Sequence, residues 1–132
     1  MDKQKMTKKI MTFIGILVLI PTAFFAAKGI SDSSYDAPDV TVGETAYLAN
    51  CLACHEERGR GDGPASHAMP VKPDDIYQEL TNPFGFKAEL IDSILTGDNG
   101  QDGTMPAFKG VLTEKEIVDI FGYITSINTE GT

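Results

Sequence analysis

Residues 51–55 read Cys51-Leu52-Ala53-Cys54-His55, and the chain holds no other cysteine. Cys-x-x-Cys-His is the attachment sequence of c-type haem. Two thiols at this spacing can add to the two vinyl groups of one porphyrin. The adjoining imidazole then lies under the iron as an axial ligand. Other chemistries fit the five residues less well. A thioredoxin-type dithiol opens a helix within a βαβ pattern, and no such pattern is legible. Zinc needs a second ligand pair at a typical spacing, yet the only other histidine, His67, stands twelve residues on and alone. A structural disulfide would leave His55 without a role. The residues therefore point to one covalently attached haem c, with Cys51 and Cys54 as thioether donors and His55 as iron ligand.

An electron-transfer haem keeps six ligands, so a second axial donor is required. Met105 lies in Gly103-Thr104-Met105-Pro106, 50 residues after His55, in a loop between predicted helices. A thioether favours Fe(II) and raises the reduction potential, and Pro106 stiffens the approach. Met69 is a rival only 14 residues after His55, in a segment needed on the His55 side of the ring. His67 is a weaker one. Arg58, Arg60 and Lys72 lie in or near the first loop. They could pair with haem propionates, but they read first as solvated surface charge.

The elements that must position these residues begin with an N-terminal segment of a different kind. Lys3, Lys5, Lys8 and Lys9 precede an uncharged apolar run from Ile10 to Ala27. Such a run is a secretory signal or a single membrane span. Phe24 and Phe25 disfavour a small-x-small cleavage site at Ala26–Ala27, whereas Pro21 argues for a signal. The balance favours an uncleaved anchor over residues 1–27. The basic end then stays in the cytoplasm and the remainder is exported. That export suits haem attachment completed outside the cytoplasmic membrane.

From Lys28 onward seven basic residues face eighteen acidic ones, a formal charge of −11, against −8 for the whole chain of 132 residues. Such a surface excludes nucleic acid as a partner. It suits redox partners with a basic docking face, although acidic charge also simply keeps an exported protein soluble. Residues 28–42 are polar and read as a flexible linker. The folded domain is expected over 43–128, about 86 residues, short for an unaided core. A haem would supply the missing apolar bulk.

Within it, Gly43–Cys54 reads as a helix, Glu56–Met69 as a loop and Pro73–Leu80 as a short helix. Asn82-Pro83 looks like the start of the next helix. Phe86, Leu90, Ile91, Ile94 and Leu95 follow helical spacing, and Gly97 stops them. Asp98–Gly110 forms a second loop. Thr113-Glu114-Lys115-Glu116 is a capping box for a last helix with Ile117, Ile120, Phe121 and Ile124 on one stripe. The expected class is all-α, helices around one covalently bound haem.

Over Gly43 to Ile127 this pattern resembles class I cytochromes c, particularly small bacterial monohaem members. The likeness implies that Gly43 lets the first and last helices of the domain cross closely. It implies that Tyr47 and Tyr123 pack at the crossing. Gly63-Pro64-Ala65 is similar to the family's Gly-Pro-Ala loop, which implies that the Pro64 carbonyl accepts the Nδ1 proton of His55. No tryptophan is present, so a propionate partner of some relatives is missing. The acidic surface departs from the basic mitochondrial members. The resemblance implies the fold, the covalent haem and His–Met ligation, and hence a one-electron carrier in a bacterial respiratory or other redox chain. The alternatives are a fixed haem subunit of a larger redox complex, or a gas- or peroxide-binding protein if Met105 is labile.

Overall fold

Different forces make the helices at the two ends of the chain, as a computed structural model describing residues 3–97 and 105–129 makes plain. Residues up to Ser34 form one unit and those from Tyr35 another.

In the first unit α1 runs from Lys3 to Ser33, 31 residues with none buried, or about 46 Å of helix. It is long and apolar enough to cross a membrane. Pro21 lies inside it and cannot donate to the ladder. One residue on, the Thr22 hydroxyl donates to the carbonyls of Val18 and Leu19, at 2.8 and 3.0 Å. Such bonds keep polar groups satisfied where water is absent. The stretch expected to be a flexible linker is helical at both ends. α1 continues through Lys28–Ser33, supported by the Lys28–Asp32 ion pair at 2.6 Å.

In the second unit α2 spans Val40–Asn50 and starts earlier than expected, because Asp39 caps it. The Asp39 carboxylate accepts from the N–H groups of Thr41 and Val42, at 3.0 and 3.2 Å. The single helix expected to Cys54 is divided at Cys51: α3 is the short turn Leu52–His55. A 3-10 turn follows at Pro64–Ala68. α4 covers Ile76–Thr81, capped by Asp75 through the Gln78 N–H at 2.9 Å.

α5 covers Lys87–Thr96, so Asn82-Pro83 does not open it. Asn82 instead terminates α4 in an extended conformation, and its side chain accepts from the Phe84 N–H at 3.0 Å. The side chain that could have capped a helix closes a local turn. α6 spans Glu114–Thr129, and its capping box is formed. The Thr113 hydroxyl accepts from the Glu116 N–H at 3.2 Å, while the Glu116 carboxylate accepts from the Thr113 N–H at 2.8 Å. Among the described residues the only β pairing is an isolated bridge between Lys109 and Leu112.

The core is built where α2 crosses α6. A Cβ on Gly43 would stand 2.0 Å from the Asp119 carbonyl oxygen, so only glycine permits this approach. Around the crossing, Tyr47, Ile117, Ile120 and Ile124 are almost wholly buried. The rings of Tyr47 and Tyr123 lie 5.6 Å apart. Asp119 is buried as well. Its carboxylate accepts from the Asp39 N–H at 2.7 Å and pairs with Lys115, tying the start of α2 to α6. Ile91 brings α5 into the same cluster.

Candidate functional site

The attachment residues are held by backbone bonds from three directions. The N–H of Cys51 donates to Tyr47 at 2.8 Å, continuing α2, and that of His55 donates to Cys51 at 2.9 Å. From the following loop, Gly61 N–H reaches the His55 carbonyl and Gly63 N–H the Cys54 carbonyl, both at 3.1 Å. The Tyr47 hydroxyl donates to the Glu56 carbonyl. Glu56 itself has φ 64 and ψ 175, a region costly for any residue but glycine. Strain is therefore stored one residue after the candidate iron ligand.

His55 Nδ1 lies 3.2 Å from the Asp74 carbonyl oxygen. A carbonyl only accepts, so the proton sits on Nδ1 and the Nε2 lone pair is free for a metal. Pro64 was expected in that role and does not fill it. Pro64 opens a 3-10 turn, where carbonyls run along the turn. Burial lowers the His55 pKa, with the Asp74 carbonyl opposing it; the neutral imidazole is the form that binds iron. Burial pushes the Cys51 thiol up to about 12, and the Cys54 sulfur adds to the shift.

Cys51, Cys54 and His55 line one cavity of about 450 Å³, within the usual range for small-molecule sites. Its walls are largely apolar, with Ile76, Leu90, Ile94, Phe108 and Phe121. Both Met69 and Met105 line it, whereas His67 does not. The Met105–Ala107 backbone packs against the end of α5. Gly97 terminates that helix in the left-handed region at φ 75, and a Cβ there would meet the Ala107 nitrogen at 2.4 Å. The segment is then pinned by Phe108 N–H to Ile94 and Lys109 N–H to Leu95, each at 3.1 Å. Gly103 and Thr104 lie outside the described residues.

Tyr47 and Tyr123 pack in the core behind this cavity rather than lining it. Arg60 is turned away. Its guanidinium pairs with Asp75 at 2.9 Å, donates to Asn128 Oδ1 at 2.8 Å and lies 5.2 Å over the Tyr77 ring. Arg58 is exposed and also lies outside the lining, which includes Lys72. Sequence reasoning missed Asp74, whose part is played by a backbone carbonyl and carries no side-chain signal. It also missed Asn128, whose only signal is a polar residue near the apolar stripe of α6.

The donor set suits haem c: two thiols at attachment spacing, a neutral imidazole, soft thioethers and apolar walls. Among the described residues no group of three His, Cys, Asp or Glu could hold a metal ion, so zinc finds no donor set among them.

Residues 38–124 match the family described as cytochrome c oxidase, cbb3-type, subunit III. The chain is 33% identical over 100 residues to the chloroplastic cytochrome c6 of Chlamydomonas reinhardtii, covering 75% of this chain and 62% of that protein. It is 29% identical over 116 residues to the cytochrome c6 of Porphyra purpurea, covering 87% and 96%. With the cytochrome c6 of Thermosynechococcus vestitus the identity is 30% over 95 residues, covering 72% and 76%. No solved structure matches.

Proposed function

The chain belongs to the cbb3-type cytochrome c oxidase subunit III family and is a small monohaem class I c-type cytochrome, and from that premise we propose how its residues hold the haem and where it works. It is an electron carrier with one covalently attached haem c. When bound, the haem supplies a one-electron Fe(III)/Fe(II) couple.

Cys51 and Cys54 would hold the porphyrin by thioether bonds. His55 Nε2 and the Met105 sulfur would be its iron donors. The Asp74 carbonyl fixes the His55 ring, and the apolar walls exclude water. The observation that carries this reading is a single apolar cavity lined by both cysteines, His55 and Met105. With both donors on the iron it would bind no substrate, which suits a carrier rather than an enzyme. Tyr47 and Tyr123 act indirectly, by setting the helix crossing from which the attachment loop departs.

α1 anchors the protein with its lysines in the cytoplasm, the uncharged run from Ile10 to Ala27 forming the span. The unit from Tyr35 onward lies on the extracytoplasmic side. Its donor and acceptor are redox proteins with basic docking faces, such as a quinol-oxidising complex and a terminal oxidase or reductase. The tether raises its effective concentration at their surfaces. A second reading is favoured by the matched family's description as an oxidase subunit: a fixed haem subunit of a larger membrane complex. Co-purification of a stoichiometric partner from mild detergent supports that reading, and a carrier that purifies alone opposes it.

The test of the site is spectroscopic. Full-length protein is made in cells that mature c-type haem, and oxidised and reduced spectra are recorded, including the sulfur-to-iron charge-transfer region. A c-type reduced band with the weak sulfur band is expected. Met105→Ala should keep the haem, lose the sulfur band and lower the potential, while Met69→Ala should leave all three unchanged. The opposite pattern would transfer the ligand role to Met69. Absence of haem from the native protein would refute the site.

A further inference from the structure

A haem brings two propionates on the porphyrin edge opposite the vinyl groups, and these need a partner in a cavity otherwise short of positive charge. Three carboxylate residues line the cavity, Asp74, Glu79 and Glu89, against one cation, Lys72. The other cations of this unit are accounted for. Arg60 is committed to Asp75 and Asn128, and Lys115 pairs with Asp119. Arg58, Lys87 and Lys109 do not line the cavity. The residues outside the described ones include no lysine or arginine. Lys72 itself is exposed and takes part in no ion pair among the described residues.

We propose that Lys72 is the propionate-binding residue of this cytochrome, and that it sets the orientation of the haem edge and biases the iron toward the reduced state. The inference rests on haem occupying the cavity. The physical argument is charge balance. A propionate directed at Glu79 or Glu89 meets like charge, whereas at Lys72 it gains a charge-assisted hydrogen bond. An unneutralised propionate stabilises Fe(III), the more positive iron. A cation that neutralises it therefore favours Fe(II), and losing that cation favours oxidation.

The arginines nearer the attachment motif in sequence are the more obvious candidates. The fold removes them. Arg60 is fixed by two polar partners and stacked on Tyr77, and moving it would leave Asp75 and Asn128 without its contacts.

The test uses the full-length holoprotein and three variants, Lys72→Gln, Lys72→Arg and Lys109→Gln. Haem content is measured first, by the pyridine haemochrome, so that a failure of haem attachment is seen separately. Two readouts follow: the haem propionate bending band in resonance Raman, and the reduced-to-oxidised ratio at a fixed ambient potential. In Lys72→Gln the propionate band should move, and the ratio should fall by up to about fivefold, the span of a partly exposed ion pair. Lys72→Arg should restore both. Lys109→Gln, a lysine outside the cavity, should leave the band in place. An unmoved band in Lys72→Gln, or an equal movement in Lys109→Gln, overturns the proposal. Native protein without haem overturns the haem reading instead.

Discussion

Gly43→Ala should destabilise the domain although it adds only one methyl group and improves helix propensity. The new Cβ would lie 2.0 Å from the Asp119 carbonyl oxygen, 2.4 Å from its carbonyl carbon and 2.9 Å from the Ile120 nitrogen. All three are backbone atoms, so no side chain can rotate away. Relief requires α2 and α6 to separate by about 1 Å, from 2.0 Å to the 3.0 Å below which real Cβ contacts essentially do not occur. That separation loosens Tyr47, Ile117, Ile120 and Ile124 together, because they fill the same crossing. Overpacking of this kind costs about 1–3 kcal/mol, and the rigid neighbours place it near the top of that range. The alanine returns about 1 kcal/mol of helix propensity, leaving roughly 2 kcal/mol net. With a guanidinium slope near 4 kcal/mol per molar, the unfolding midpoint of the holoprotein should fall by roughly 0.5 M. The midpoint is read from Soret absorbance during denaturant titration. Gly85→Ala is the control, since its Cβ would have no neighbour nearer than 3.6 Å. A Gly43→Ala midpoint equal to or above native, with Gly85→Ala also unchanged, would refute the close-crossing argument.

Other perturbations probe other parts of the fold. Cys51→Ala combined with Cys54→Ala should abolish covalent haem, checked by haem staining of a denaturing gel. Thr113→Ala removes one half of the capping box and should cost about 1 kcal/mol in the same denaturant titration. Hydrogen bonds from Thr113 hold the Glu116 carboxyl below its ordinary pKa. Its stabilisation is therefore fully present above the unfolded value of about 4.3 and lost as pH falls through the folded one. Glu116→Gln should accordingly flatten the decline of melting temperature over that acidic window. Asp119→Leu leaves the Asp39 N–H without its acceptor, and a loss of about 1–3 kcal/mol is expected. Glu56→Gly relieves a backbone suited to glycine and should raise stability by about 1 kcal/mol without changing the c-type spectrum. A lower midpoint would show that the Glu56 carboxylate bond to the Arg58 N–H, 3.0 Å long, outweighs the strain.

Some of this protein was legible from short range alone, because the responsible forces act within a few residues. Cys51, Cys54 and His55 are contiguous, so their chemistry needs no tertiary information. The Thr113–Glu116 box and the stop at Gly97 depend on local hydrogen bonds and a local φ, and both form as their residues imply. The apolar run to Ala27 makes a helix by composition.

Contacts between distant segments were decided by the tertiary structure. Asn82 had two local options, cap or turn, and in the fold it ends α4 and accepts from the Phe84 N–H. Whether Arg60 or Lys72 faces the cavity depends on Asp75, Tyr77 and Asn128, up to 68 residues away in the chain. The partner of His55 Nδ1 is a backbone carbonyl nineteen residues on, a group every residue possesses and no sequence pattern marks. Met69 and Met105 are the same residue type, both in loops, and only the fold brings both of them, but not His67, to one apolar cavity. Chain chemistry specifies which groups are available, and burial with long-range packing decides which of them meet.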